Sequence, residues 1–295
     1  MSNSRYWFPA LAMAAALAAG PAVPGTASAA EVRRITEKTF DFKPGGELSI
    51  DNQNGRIVVE AWDQPKVRIQ VTRIARASDP QKAEEFMKQI QSEVTITPDK
   101  IEIKSHYPKH QESMGIWAIL VEKSTSFQTH YYVQVPAKVR LDLETSNGEI
   151  RVRGTQGPIT AQSTNGGIEV SGANGALLAS TTNGSIEVED TSGSLDATTT
   201  NGSVTAVFRT LDPKGSLHAS TTNGNVEVYL PKDVKATVEA GTTNGNIRVS
   251  YALTSSGVMT SKTVRGTIGG GGATVSLSTT NGQIRVARLD EYDSH

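Results

Sequence analysis

The sequence predicts an all-β fold, a single-chain β-solenoid of two-strand coils about 18 residues long, with one α-helix inserted in its N-terminal part. Three observations carry this. The signature Thr/Ser-Thr/Ser-Asn-Gly recurs seven times in the second half of the chain. Each copy is followed by strict apolar/polar alternation, the mark of a strand with one buried face. The Asn-Gly pairs Asn147-Gly148, Asn165-Gly166, Asn183-Gly184, Asn201-Gly202, Asn223-Gly224, Asn244-Gly245 and Asn281-Gly282 are spaced by 18, 18, 18, 22, 21 and 37 residues. Self-similarity at such a period is the signature of stacked repeats.

Within a unit, the first strand buries pairs such as Ile150 and Val152, Ile168 and Val170, or Ile186 and Val188. The second buries a large and a small residue, as in Ile159 with Ala161 or Leu177 with Ala179, which fits a narrow interior filled by complementary volumes. Asn-Gly is the pair expected where the backbone turns through positive φ. An antiparallel meander also fits the alternation, but seven repeats would need about fourteen strands, beyond the usual limit of an open twisted sheet. The solenoid is preferred. Seven coils at ~4.8 Å each make a rod of roughly 34 Å. Insertions at Asp212-Pro213-Lys214 and Pro231-Lys232-Asp233 fall at corners, and Tyr251 to Gly272 is a longer excursion before the last coil.

Along the chain, residues 1–29 read as a secretory leader: Arg5, an apolar stretch from Ala10 to Ala19, and a small-residue cleavage site at Ala27-Ser28-Ala29. Residues 30–140 form an N-terminal β region. It contains a degenerate first rung at Asn52-Gln53-Asn54-Gly55 and a helical insert over 79–92, with Asp79 as cap, Pro80 in the first turn and an apolar stripe of Ala83, Phe86, Met87 and Ile90. That helix is expected to cover the open end of the solenoid. Residues 141–287 are the repeat array and 288–295 a polar tail.

Without cysteine the chain has no disulfide framework and no thiol nucleophile. Past the leader, 28 basic residues stand against 30 acidic ones, a net charge near −2. That balance disfavours nucleic-acid binding, which needs a concentrated basic face. The leader's apolar stretch is too short to span a bilayer and no other run approaches the required length, so no transmembrane segment is expected in the mature chain.

An early Asn-x-Asn-Gly-x-Ile rung, a helical insert, a strand ending in Val135-Pro136, and tandem Thr-x-Asn-Gly-x-Ile-x-Val units together resemble a widespread bacterial family catalogued as putative adhesins. The resemblance covers roughly residues 38–287. It implies a secreted or envelope-associated β-strand-repeat domain, and it implies no reaction, because that family is one of unknown function.

Candidate chemistry is sparse. His106 and His110 stand four apart, but Pro108 lies between them, so no metal site is expected. No Gly-x-Ser-x-Gly elbow accompanies the scattered histidines. Calcium-binding solenoid turns carry Asp where this chain has Thr and Asn. The regular Thr ladder resembles an ice-binding face, yet Thr and Asn at corners are expected to serve the backbone instead. Outward Glu169, Glu187 and Glu227, together with Trp117 in the irregular stretch 106–126, are the possible ligand contacts; no catalytic, cofactor or metal residue is assigned. The expected function is a non-enzymatic, exported module of the cell envelope, periplasmic or surface-located, binding an envelope glycan or protein. The alternative is a carbohydrate-active enzyme using the outward glutamates.

Overall fold

The structure, a computed structural model, is described over residues 30–97, 99–107, 126–255 and 259–293, together with the backbone of 4–8. Its strands are β1 (Ser4–Phe8), β2 (Ala30–Asp41), β3 (Glu47–Asn54), β4 (Ile57–Trp62), β5 (Lys66–Ala77), β6 (Gln91–Ile96), β7 (Lys100–His106) and β8 (Ser126–Pro136), with α1 (Pro80–Gln89) between β5 and β6. The repeats supply paired strands: β9 (Arg140–Asn147) and β10 (Ile150–Arg153), β11 (Ile159–Asn165) and β12 (Ile168–Ser171), β13 (Leu177–Asn183) and β14 (Ile186–Thr191), β15 (Leu195–Asn201) and β16 (Val204–Phe208), β17 (Ser216–Asn223) and β18 (Val226–Leu230), and β19 (Ala236–Asn244) and β20 (Ile247–Val249). After β21 (Thr254–Ser255) and β22 (Thr263–Ile268) come β23 (Ala273–Asn281), β24 (Ile284–Arg288) and a terminal turn of helix, α2 (Leu289–Tyr292).

Two sheets face each other across one core. The larger has 13 strands and the other 11, and neither closes on itself. Coil strands pair in parallel with the same register from rung to rung: Ile159 lies against Leu177, Ala161 against Ala179 and Asn165 against Asn183. This is the solenoid, not the meander. The β3–β4 unit pairs in parallel with β9 and β10, so the degenerate Asn54-Gly55 segment is a true first coil. Beyond it, β7 and β8 pair in parallel with β3 and β4 and make one more rung, whose corner is replaced by the insertion joining His106 to Ser126. Trp117 and His110 belong to that insertion and lie outside the described residues.

The signature is explained by rung-to-rung contact at the corner. The first Thr is buried and donates its hydroxyl to the glycine carbonyl of the preceding rung: Thr181 to Gly166 at 2.9 Å, Thr199 to Gly184 at 2.9 Å, Thr221 to Gly202 at 2.8 Å. Asn side chains form a second ladder, with Asn183 Nδ2 donating to Asn165 Oδ1 at 2.8 Å and Asn201 to Asn183 at 2.9 Å. Glycine follows because stacking is tight: a Cβ on Gly184 would lie 2.2 Å from the Gly166 carbonyl oxygen, and one on Gly166 only 1.9 Å from that of Gly148. This corrects the expectation of a positive-φ turn. No described Asn of the signature has positive φ, and of its seven glycines Gly202 alone does. Close approach of neighbouring backbones, not turn handedness, excludes a side chain. The buried hydroxyls also leave no exposed two-Thr array of the ice-binding kind.

The stacking order departs from the order in sequence. β23 lies between β17 and β19, and β24 between β18 and β20, so the last repeat is inserted between the two before it. The Asn ladder follows space: Asn281 donates to Asn223 and Asn244 to Asn281, both at 2.8 Å. The chain leaves a one-rung gap after β18, lays down β19 and β20, reverses through β22, antiparallel to β19, and returns to fill the gap. Gly269, Gly270 and Gly271 make the reversal with φ of 60°, 87° and 86°, a succession that residues with a Cβ adopt only at a cost.

Antiparallel strands terminate the larger sheet at both ends and the smaller sheet at its N-terminal end, while β20, paired in parallel with β24, is the smaller sheet's other edge. At the N-terminal end β5 pairs antiparallel with β8 and β2 with β5, while β6 pairs antiparallel with β7. The edge strand β2 carries Glu31, Arg33, Arg34, Glu37 and Lys38, charges that discourage edge-to-edge association. Ser4–Phe8, inside the segment read as a leader, pairs antiparallel with β6. Helix α1 is capped by Asp79, whose carboxylate accepts the Lys82 N–H at 2.9 Å. It ends at Gln89, short of the expected 92, because Gln91 to Ile96 are drawn into the period-two pairing of β6. Its stripe, Ala83, Phe86 and Met87 with Ile90, packs on Ala75 and Ala77, the part of β5 that overhangs the coils.

Two outcomes test this packing. Gly184→Ala should lose roughly 3 kcal/mol or more, the upper end of overpacking costs, and Thr199→Val about 1 kcal/mol for one hydrogen bond, both read from urea denaturation midpoints. Truncation after Gly272 removes an interior rung, so amide exchange protection should collapse across 216–249 and not merely fray at the new end.

Candidate functional site: the outer face of the smaller sheet

Residues between the inward Ile and Val positions of the short strands all point away from the core. Stacking aligns them in a row running Tyr132, Val58, Arg151, Glu169, Glu187, Thr205, Glu227, Arg285, Arg248. The inserted repeat places Arg285 before Arg248, the reverse of their sequence order.

The three outward glutamates have different surroundings. Glu169 is held by two guanidiniums, with Arg151 Nε at 2.7 Å and Arg153 Nη2 at 3.1 Å. Glu187, directly beside it in register, makes no hydrogen bond or ion pair among the described residues. Partial desolvation, then the charges of Glu189 and Glu169, push its carboxyl above the ordinary range. Glu227 accepts the Tyr229 hydroxyl at 2.9 Å. His106 lies at the far end of the molecule, 3.1 Å from Glu93.

The C-terminal residues complete the face. Instead of a free polar tail, α2 folds back over it, burying Val207, Tyr229 and Ala287 beneath Leu289 and Tyr292. The Tyr229 and Tyr292 rings are 4.9 Å apart at their centroids, and the Arg285 guanidinium lies 5.5 Å from the Tyr229 ring centre. Arg285 donates to Glu291 at 2.9 Å. The Tyr292 hydroxyl hydrogen-bonds Glu189, and that bond raises its pKa to about 12. This cluster is not legible locally, since Tyr292 and Glu189 lie 103 residues apart. Tyr229, an aromatic next to the inward Val228 where the neighbouring repeats carry Val207 and Ala287, was the one signal available.

The face therefore combines ion-paired, hydrogen-bonded and unpaired carboxylates with a tyrosine pair, on a flat open surface. Among the described residues no group of three or more His, Asp or Glu is arranged to hold a metal ion, and no helix is long and apolar enough to cross a membrane.

Residues 176–287 match the family described as Toastrack DUF4097. The match covers less than half of the chain. It begins at the third signature-bearing coil and includes the inserted last repeat. No curated protein matches the chain. Among solved structures, a "putative cell adhesion protein" from Clostridium sporogenes is 11% identical with a TM-score of 0.32, the match covering 86% of this chain and 100% of that one. A "putative adhesin" from Bacteroides fragilis is 13% identical with a TM-score of 0.40, covering 86% and 97%.

Within the matched stretch, Glu187 supplies a pH test. A carboxyl whose folded pKa is raised costs stability once ionised; the penalty is absent below the unfolded carboxylate pKa and grows as pH rises through it. Glu187→Gln should stabilise the protein at pH 7 by about 0.2–1 kcal/mol, the scale of a cross-strand like-charge contact, and have no effect at pH 3.5, as read from melting curves at the two pH values.

Proposed function

We propose that this chain is a non-enzymatic interaction module of the bacterial envelope, exported by its N-terminal leader and contacting an envelope glycan or protein through the polar outer face of the smaller sheet. The observation that carries this is the face itself: the same outward position repeats at every rung, so charged and hydroxyl groups recur at ~4.8 Å along a rigid stack. Such a surface suits many weak contacts with an extended polymer, whose summed strength grows with the number engaged. The concavities among the described residues are open surface clefts, whereas glycoside cleavage requires an acid and its partner set around a bond in a cleft. The Toastrack DUF4097 match accords with this reading without assigning a partner.

Incubation of the leaderless protein with isolated envelope polymers, and protease shaving of intact cells producing a tagged form, test the two parts. Retention on envelope material is expected, weakened by charge reversal at Arg151 and Glu227. Product release from a panel of polysaccharides, abolished by Glu187→Gln, would replace this reading with the carbohydrate-active alternative. Shaving that removes the tag places the face outside the cell; protection together with release in the periplasmic fraction places its partner within the envelope.

A further inference from the structure

At the N-terminal end of the same face lies a cleft of about 380 Å³. Its polar lining comes from Arg33 on β2, Thr72 and Gln70 on β5, His130 on β8 and Arg56 at the corner of the first coil. Register explains the convergence: Ile35, Thr72 and His130 lie side by side across three strands, with Arg33 and Ile74 one pair further along. Val58 and Tyr132 give it an apolar side, while Ile74, paired with Arg33, is buried beneath it.

His130 is fixed in one tautomer. Its Nδ1 accepts the Arg56 backbone N–H at 3.0 Å, which leaves the proton of the neutral ring on Nε2 as a donor. Burial, followed by the guanidiniums of Arg56, Arg33 and Arg76, holds its pKa below the ordinary imidazole value. Three guanidiniums thus surround the ring, and two carboxylates face them: Glu31, 3.2 Å from Arg33 and 2.7 Å from Arg76, and Glu149, 3.1 Å from Arg56. Positive charge is in excess. Each guanidinium has five N–H donors, and one carboxylate partner does not exhaust them.

We propose that this cleft binds a carboxylate-bearing sugar unit of an envelope polymer, its acid group on Arg33 and Arg56 and its ring against Tyr132 and Val58. The donors around His130 match an anion, and Tyr132 with Val58 beside them match the C–H face of a sugar ring, a pairing that a bare anion would not use. The inference rests on the interaction-module reading and names its ligand class. Because Nδ1 of His130 is engaged by the Arg56 N–H, the neutral ring meets a bound carboxylate as an Nε2–H donor.

The experiment is calorimetric titration of the leaderless chain with tri-galacturonate, the neutral galactose trisaccharide and inorganic phosphate at pH 7.5. Expected are binding of tri-galacturonate alone and a loss of tenfold or more in Arg33→Gln/Arg56→Gln. Both arginines are exposed, so the double variant should keep the parent melting temperature. Equal binding of the neutral trisaccharide, or equal binding of phosphate, overturns the assignment. Retention on whole envelope material that is unchanged in the double variant also overturns it, while leaving the module reading intact; loss of retention in every form, the parent included, removes that reading instead.

Discussion

The corner contact between successive rungs is the constraint on which the rest of this structure depends. Three chemically different demands meet there: a glycine whose missing Cβ lets the next backbone pass, a buried hydroxyl that satisfies the glycine carbonyl behind it, and an amide that bonds its own kind one rung away. Each is modest alone. Repetition makes them cooperative, since fixing one corner sets the register of both strands leaving it. The core can then be built from small apolar residues, with Ala161, Ala179, Ala197 and Ala219 opposing Val and Ile across a thin interior.

Uniform register has a consequence on the outside. A position that points outward in one coil points outward in all, so surface chemistry is written in rows, and a change in one repeat changes one place in a row. Along this face Glu169 is neutralised by its Arg neighbours while Glu187, one rung away, is not. The C-terminal turn then covers part of the row, joining Tyr292 to Glu189 across the stack. At the other end, strands turned antiparallel bring Arg33, Arg56 and His130 together from three separate segments.

The ends and the inserted repeat show how an open array is finished. Parallel stacking has no intrinsic stop, and a bare edge invites further pairing. Here the antiparallel strands β2, β5 and β6 close one end, helix α1 covers the overhang of β5, and β21 and β22 finish the larger sheet at the other end, where β20 is the edge of the smaller one. Inserting β23 and β24 between earlier rungs ties the chain's last segment into the interior of the stack, so the C-terminus is held by pairing on both sides.

Local sequence determined the coil, because everything the coil needs recurs within 18 residues: the alternation that picks the buried face, the turn residues, and the Thr-Thr-Asn-Gly corner. It also specified the first rung at Asn54-Gly55 and the helix start at Asp79. Tertiary structure alone decided which coil lies next to which, since the repeats are nearly interchangeable and Asn223 can bond Asn281 as well as Asn244. It decided the reason for glycine as well, because a close approach between rungs leaves no mark distinct from a positive-φ turn in a dipeptide. The 18-residue period also placed Glu187 beside Glu169, whereas the cleft around His130 was out of reach of the sequence, for it is made by residues far apart in the chain whose proximity exists only once the strands are in register.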